Sequence, residues 1–193
     1  MSAYDRALGL IVRPREEWDA IDREPGTALE IFTAYVIPLA AIPPISFFVG
    51  FSLVGSPGAG AASRVPLAIG VAHMVSLYVL TLALVWAFAA IMSALAPHFG
   101  GVRDGTRAFK VAAHAPTAAW AAGIFYAIPA LSILGIVGLY SLYLLYVGLP
   151  RLMRVPDDKA LPYTVVAVMI AVFLTIFANA LAALMIPSQL RGF

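Results

Sequence analysis

Two histidines, one asparagine and a pair of prolines are the residues in the apolar stretches of this chain that could take part in chemistry. If those stretches lie in a bilayer, each polar group at that depth is costly and therefore marks a candidate site. Adjacent prolines leave carbonyls unpaired about one turn earlier, which is tolerated only inside protein or beside a wet cavity. The alternative for each residue is ordinary helix packing. The candidate cavity residues are Pro43, Pro44, His73, His114 and Asn179.

The residue types on which most enzymes and metal sites depend are scarce. Cysteine is absent, which excludes a thiol nucleophile and a thiolate metal site. We find no glycine loop for phosphates, no nucleophile elbow and no helical pair of histidines flanking a glutamate. His73 and His114 fall at different depths, so a shared metal ion would require strong helix distortion. The sequence therefore predicts a chain that is not an enzyme and has no catalytic residue, metal or cofactor.

The composition indicates that lipid surrounds most of the chain. Of 193 residues, 62% are hydrophobic and 11% are charged, whereas soluble domains carry roughly a quarter charged residues. The apolar residues occur in blocks, and a net charge of +2 is too small to indicate nucleic acid binding. We predict a single membrane domain over residues 1–193, with membrane lipids among its partners.

Four apolar stretches supply the membrane spans, and one of them is long enough to cross twice. Ala108–Leu149 would measure about 60 Å as one helix, twice the bilayer core of about 30 Å. Pro129 lies near its middle and removes a backbone donor, which predicts a tight reversal near Ile128–Ser132. We expect an all-α polytopic membrane protein, a bundle of five transmembrane helices at about residues 31–54, 67–95, 108–128, 131–149 and 163–186.

The distribution of basic residues gives an independent test of that number. With the N-terminus in the cytoplasm and five spans, only Arg64 and Arg191 of the 12 Lys and Arg residues lie outside. Treating Ala108–Leu149 as one span would spoil this bias. The positive-inside rule therefore predicts a protein of the cell inner (plasma) membrane, with its N-terminus in the cytoplasm and its C-terminus outside.

A short amphipathic segment, residues 1–29, precedes the first predicted span. Tyr4, Leu8, Ile11 and Val12 repeat at helical spacing, and charged residues occupy the other faces. Two interpretations stay open. The segment forms helices on the membrane surface with Trp18 at headgroup depth, or helices that pack on the cytoplasmic loops.

Basic side chains on the cytoplasmic side could contact anionic headgroups or an acidic partner, because positive charge near the surface attracts both. The alternative for any one of them is that it determines topology alone. The predicted lipid or partner contacts are Trp18, Arg103, Arg107, Lys110, Arg151 and Arg154.

Three stretches of the chain resemble one family of small membrane proteins. They are PREEWDAIDREPGTA at Pro14–Ala28, APHFGGVRDGTRAFKVAAHA at Ala96–Ala115 and GLYSLYLLYVGLPRLMRVPDDKALPYTV at Gly138–Val165. The sequence is similar to the bacterial branch of the Yip family, which is named for its yeast Ypt-interacting members. The resemblance implies a five-helix membrane domain with a cytoplasmic N-terminus. Eukaryotic relatives bind Rab-type GTPases, but bacteria without Rab traffic would need another partner.

Two functions are therefore weighed. The first is a non-enzymatic scaffold or adaptor of the inner membrane that recruits a protein partner or lipid at its cytoplasmic face, alone or as a homo-oligomer. The alternative is a small transporter or channel subunit whose cavity is lined by the proline-kinked first helix. No acidic residue lies at membrane depth, which argues against coupling to cations or protons.

Overall fold

The computed structural model describes residues 2–55 and 64–185, and these residues are all-helical without a strand. Arg191 and the last residue of the predicted span 163–186 lie outside the described residues. The helices are presented below in chain order, from the charged N-terminal segment to the last apolar helix.

Two short helices form the N-terminal segment: α1 (Ala3–Val12) and α2 (Pro14–Arg23). Ser2 and Asp5 form a capping box that begins α1, and the hydrogen bonds from Ser2 hold the pKa of Asp5 below its ordinary value. Pro14 begins α2, where its missing N–H has no cost. The segment is therefore two distinct helices with a corner at Arg13.

The first apolar helix, α3 (Ala28–Val54), is distorted by its prolines. Its regular turns break at Ala41 and are flanked by π-helical turns at both ends. Prolines free carbonyls of the preceding turn, and the Tyr78 hydroxyl donates to the Ile37 carbonyl at 2.9 Å. A neighbouring helix thus satisfies backbone that the kink exposes.

Two helices are longer than a bilayer core requires. Helix α4 (Leu67–Leu95) and helix α8 (Asp157–Met185) each contain 29 residues, or about 43 Å against about 30 Å of hydrocarbon. A 3₁₀ turn, Ala96–Phe99, extends α4. Near this end the Tyr163 hydroxyl of α8 donates to the Met92 carbonyl of α4 at 2.6 Å. The two helices are therefore in contact near this end, and each is longer than the hydrocarbon core is thick.

The apolar stretch between α4 and α8 folds back on itself. Its first arm comprises α5 (Gly105–His114), α6 (Thr117–Ala122) and a 3₁₀ turn, Gly123–Ala127. Its second arm is a 3₁₀ helix, Pro129–Leu139, followed by α7 (Tyr140–Met153). Ile128 is extended between the arms, within the segment where the sequence predicts a reversal.

Close contacts show that the two arms run antiparallel. The Ser141 hydroxyl accepts a hydrogen bond from the Ala119 N–H at 2.8 Å. A Cβ atom at Gly138 would lie 3.0 Å from the Ala119 Cα, and one at Gly135 would lie 3.0 Å from the Tyr126 hydroxyl. The glycines therefore allow the backbones to approach closely, as is usual between helices in lipid.

Four helices in the described residues are long and apolar enough to cross a membrane: Ala28–Val54, Leu67–Phe99, Pro129–Met153 and Asp157–Ala182. They match the first, second, fourth and fifth predicted spans. The predicted span at 108–128 is not one continuous helix, because Pro116 has no N–H to extend α5 and the chain tightens at Gly123. The chain is an all-helical integral membrane protein, and the count of five helices is not confirmed.

The best-packed part of the molecule is a charged end that we call the head, comprising residues 2–27, 91–114 and 146–164. It contains α1, α2, α5, the contacting ends of α4 and α8, and the C-terminal half of α7. Its core consists of side chains with at most 1% of their surface exposed, including Leu10, Trp18, Phe109, Leu152 and Tyr163. The N-terminal segment is thus part of a folded core.

Candidate functional site: the charged head and its cavity

Helix α2 is fixed to α7 by Trp18. The Trp18 side chain is fully buried, and a Cβ atom at Gly148 would collide with its ring. The same ring makes an edge-on contact with His114, with centroids 6.2 Å apart. The indole Nε1 has no hydrogen-bond partner among residues 2–55 and 64–185. Trp18 therefore holds α2 by shape, and the structure favours packing on the loops over headgroup depth for this residue.

Asp22 of α2 joins two basic helices at the surface of the head. Its carboxylate accepts from Arg107 of α5 at 3.0 Å and from Arg154 at the end of α7 at 2.8 Å. Arg107 also pairs with Asp104 at 3.3 Å. Arginine forks suit such carboxylate pairing. Two of the predicted lipid or partner contacts are therefore engaged inside the head.

Arg151 and Arg6 make further links of the same kind. Arg151 pairs with Asp19 at 3.3 Å and donates to the Arg15 carbonyl at 3.1 Å. Arg6 is buried, pairs with Glu17 at 2.6 Å and also with Glu24. These ion pairs connect α1 to α2 and α2 to α7.

Lys110 and His114 lie one turn apart on α5, and both are buried. Lys110 Nζ donates to the carbonyls of Ile21 at 2.7 Å and Glu24 at 2.6 Å. His114 Nδ1 lies 2.8 Å from the Lys110 carbonyl, which can only accept, so Nδ1 carries the proton. The His114 ring packs on Tyr35 with centroids 4.4 Å apart.

A polar cavity of about 230 Å³ opens beside these residues. Its wall combines the N-terminus of α1, the loop after α2, the first turns of α3 and one face of α5. Charged groups of both signs line it, together with apolar side chains of α3. The residues that line it include Arg6, Glu24, Glu30, Ala34, Lys110 and His114.

A second cavity, of about 220 Å³, lies between α4, α6, α7 and α8. Its lining is mostly apolar and shares no residue with that of the polar cavity. Asn179 contributes to it, but its side-chain amide donates to the Thr175 carbonyl of its own helix at 2.8 Å. The two cavities are therefore separate features.

The structure separates the five residues predicted to line one cavity. His114 lines the polar cavity, Asn179 lines the apolar cavity, and His73 packs on Phe47 with ring centroids 5.3 Å apart. Pro43 packs against Gly123, where a Cβ atom would lie 2.6 Å from its Cγ, and Pro44 is buried. These five residues do not surround a common space.

The head and the apolar helices together match one known protein family. The sequence model of the Yip1 domain matches residues 8–178 of this chain. The chain belongs to the Yip1 family. Searches of curated proteins and of solved structures give no match. The Yip1 family is not a known enzyme family, and the match covers the head as well as the apolar helices.

Of the surface contacts predicted from sequence in this Yip1 domain, Arg103 is the one that stays exposed without an ion pair in the described residues. Trp18 and Lys110 are buried, and Arg107, Arg151 and Arg154 take part in ion pairs. No three His, Cys, Asp or Glu residues in the described ranges are grouped as metal ligands would be.

Sequence reasoning missed the residues that hold the Yip1 head together. Asp22, Arg6 and Gly148 were not predicted as site residues, although each lies in a segment to which the sequence analysis drew attention. Two acidic residues one turn apart on α2, Asp19 and Asp22, face the bases of α5 and α7. That spacing of two acidic residues was the available signal, but the pairing with Arg107, Arg151 and Arg154 needs the tertiary fold.

Proposed function

We propose that this Yip1-family chain is a non-enzymatic adaptor of the cell inner membrane, with its head in the cytoplasm. The proposal depends chiefly on one observation, a surface that we call the basic patch: Arg103, Arg154, Lys159 and the apolar Val102. It lies on the surface of the head, where Lys159 occupies the first turns of α8, and a soluble partner could reach it there.

The basic patch is formed where two loops meet. The Val102 N–H donates to the Met153 carbonyl at 2.8 Å, so the loop before α5 lies beside the end of α7. Gly100, with φ of 76°, packs against Pro156, and Lys159 Nζ would lie 3.9 Å from a Cβ atom at Gly100. Val102 is 53% exposed between these bases. Packed loops keep the patch in one arrangement, which lowers the entropic cost of binding.

The charges around the basic patch favour a protein over a generic anionic surface. Asp157 and Asp158 occupy the first turn of α8 close to Lys159, where acidic residues suit the helix dipole. An anionic membrane would meet both signs of charge there. A partner with an acidic segment could place its carboxylates against Arg103 and Lys159, which form no ion pair in the described residues, and bury Val102, while Arg154 stays paired with Asp22.

Five crossings with opposite termini are part of the proposal, and the far end of α3 supports them. A Cβ atom at Gly50 would collide with the Tyr126 carbonyl. Tyr126 therefore packs against α3 at Gly50, which lies four residues before the end of that helix at Val54. The reversal at Ile128 then reaches the far side of the membrane. From Ala115, where the head ends, to Ala127 the arm spans about 22 Å, so this crossing also needs the last turns of α5, which line the polar cavity.

The side on which the head lies follows from its charge. With five crossings the head carries most Lys and Arg residues and Arg64 lies at the opposite end, which the positive-inside rule assigns to the outside. No specific observation favours the transport alternative, because the residues expected to line a pathway lie in separate places in the described structure.

The adaptor proposal is tested by replacing two bases that take no part in the packing of the head. Arg103→Glu with Lys159→Glu should reduce photocrosslinking from a probe at Val102 to an acidic cytoplasmic protein by roughly tenfold. Arg64→Glu is the matched control at the opposite end and should leave the crosslink unchanged. A crosslink equally strong in the double variant would refute the basic patch as the docking surface.

A further inference from the structure

The polar cavity contains a buried ammonium that forms no direct ion pair in the described residues. Lys110 is 7% exposed, and its ammonium donates two hydrogen bonds, both to uncharged carbonyls. No carboxylate in the described residues forms an ion pair with it. An ammonium has three hydrogens, so one remains. A buried charge without a counter-ion is costly, and this one lines an open space.

Both signs of charge are available on the cavity wall. Arg6 uses two of its five donors on Glu17 and Glu24, which leaves further N–H groups. Glu30 is exposed, and its Oε2 accepts from the Thr27 N–H at 2.9 Å as part of the cap of α3. The cavity therefore offers donors at its buried side and a carboxylate at its mouth.

The cavity also lies at the depth of lipid headgroups. Ile31 and Ala34, which line it, belong to the first turns of the membrane helix α3. On the other side its wall is the N-terminus of α1, whose neighbouring Tyr4 and Leu8 are exposed apolar side chains. A ligand in this position would have its polar part in the head and its remainder in lipid.

We propose that this cavity binds the phosphoethanolamine headgroup of a membrane lipid. The phosphate faces Lys110 and Arg6, and the primary ammonium faces Glu30. The cavity, of about 230 Å³, has room for a headgroup of this size. Phosphoglycerol would leave Glu30 without a cation, and the quaternary ammonium of phosphocholine has no N–H to donate.

The site is distinct from the basic patch, since the two share no residue. Its test can therefore fail while partner recruitment by the adaptor survives, and the reverse. Two variants probe the cavity without touching Lys110 or Arg6, whose loss could unfold the head. Ala34→Trp fills the mouth from an exposed position, and Glu30→Gln removes one charge while a glutamine can still form the capping box.

The experiment is native mass spectrometry of the purified full chain with equal amounts of phosphatidylethanolamine, phosphatidylglycerol and phosphatidylcholine. The native chain should prefer phosphatidylethanolamine by roughly tenfold, the value of one charge-assisted hydrogen bond. Ala34→Trp should abolish the preference and Glu30→Gln should reduce it several-fold. Ala83→Trp, on an exposed site of α4, and Glu16→Gln, on α2, are the matched controls and should bind like the native chain.

Soluble phosphoethanolamine is the final arm, because it has the same headgroup without the acyl chains. It should displace the lipid only at far higher concentration. Displacement at equal concentration would make the soluble compound the ligand and overturn the lipid part of the proposal. Equal or stronger binding of phosphatidylglycerol, or native binding by Ala34→Trp, would overturn the site itself.

Discussion

The head and the apolar helices of this chain are built on opposite principles. In the head, Trp18 and Phe109 are almost completely enclosed and charged residues connect the helices. In the membrane half, large apolar side chains point outward, with Ile133 74% exposed and Phe173 65% exposed. Contacts there are made by small residues such as Gly123 and Gly138.

The difference follows from the solvent around each region. Water drives apolar side chains together, so the head is stabilised by burial of large residues. Lipid gives no such drive, and helices in it associate through close backbone packing and a few hydrogen bonds. The same kind of substitution should therefore change stability by different amounts in the two regions, which allows the comparison to be tested.

Removing a large aromatic side chain should separate the regions most strongly. We expect Trp18→Ala to destabilise the head by about 3–5 kcal/mol, since it creates a cavity in a close-packed core. Phe173→Ala, which faces lipid, should change stability by less than about 0.5 kcal/mol. Denaturation in mixed micelles measures both. Similar losses for the two variants would break the comparison.

A conservative substitution at the same site sharpens this prediction. Trp18→Phe keeps a ring against Gly148 and loses no hydrogen bond, because the indole Nε1 has no partner in the described residues. It should retain more than half of the stability that Trp18→Ala loses. Tryptic cleavage after Arg15 and Arg23 should accelerate in the alanine variant and stay slow in the phenylalanine variant.

The ion pairs of the head should have the next largest effect. Asp22→Asn removes the shared partner of Arg107 and Arg154, and we expect a loss of about 2 kcal/mol, limited by the partial exposure of both arginines. Glu16→Gln breaks an exposed pair with Arg13 and should change stability by less than about 0.5 kcal/mol. Equal effects in the same micelle titration would show that Asp22 does not link the helices.

A single methyl group should have the smallest effect, and it should act in the membrane half. Gly123→Ala places a Cβ atom 2.6 Å from Pro43 Cγ, and such overpacking costs about 1–2 kcal/mol when the neighbour is rigid. Gly105→Ala is the control, because nothing lies within 4 Å of its added Cβ. If Gly123→Ala is as stable as Gly105→Ala, the two arms are not tightly packed on α3.

Hydrophobic blocks were sufficient to predict most of the helical framework. Helix α4 begins and ends at the predicted residues, α3 begins three residues earlier than predicted, and the chain is extended at Ile128, within the segment predicted to reverse. The internal break at Pro116 was missed, because the block around it is uniformly apolar. Nothing in that block indicates that the Thr117 hydroxyl donates to the His114 carbonyl, or that the Tyr35 hydroxyl bonds to Thr117.

The head was harder to predict, since its contacts join residues far apart in the chain. The amphipathic pattern of α1 and α2 fits a membrane surface and a protein surface equally well. Only Gly148 and the bases opposite Asp22 decide between them. Gly148 and Arg154 lie more than a hundred residues from α2, and Arg107 lies on α5, 85 residues from Asp22. Burial of Lys110 was likewise invisible, because a lysine at a span boundary usually reaches water.

The sidedness of the chain is the most direct test of the whole account. The native sequence contains no cysteine, so single cysteines can be introduced at Ser2, Arg64, Ala130 and Lys159 and labelled with a membrane-impermeant maleimide. We predict labelling of Arg64→Cys and Ala130→Cys from outside the cell, and of Ser2→Cys and Lys159→Cys only from the cytoplasm. Labelling of Ala130→Cys from the same side as Lys159→Cys would contradict the account, because the hairpin would then not cross the membrane.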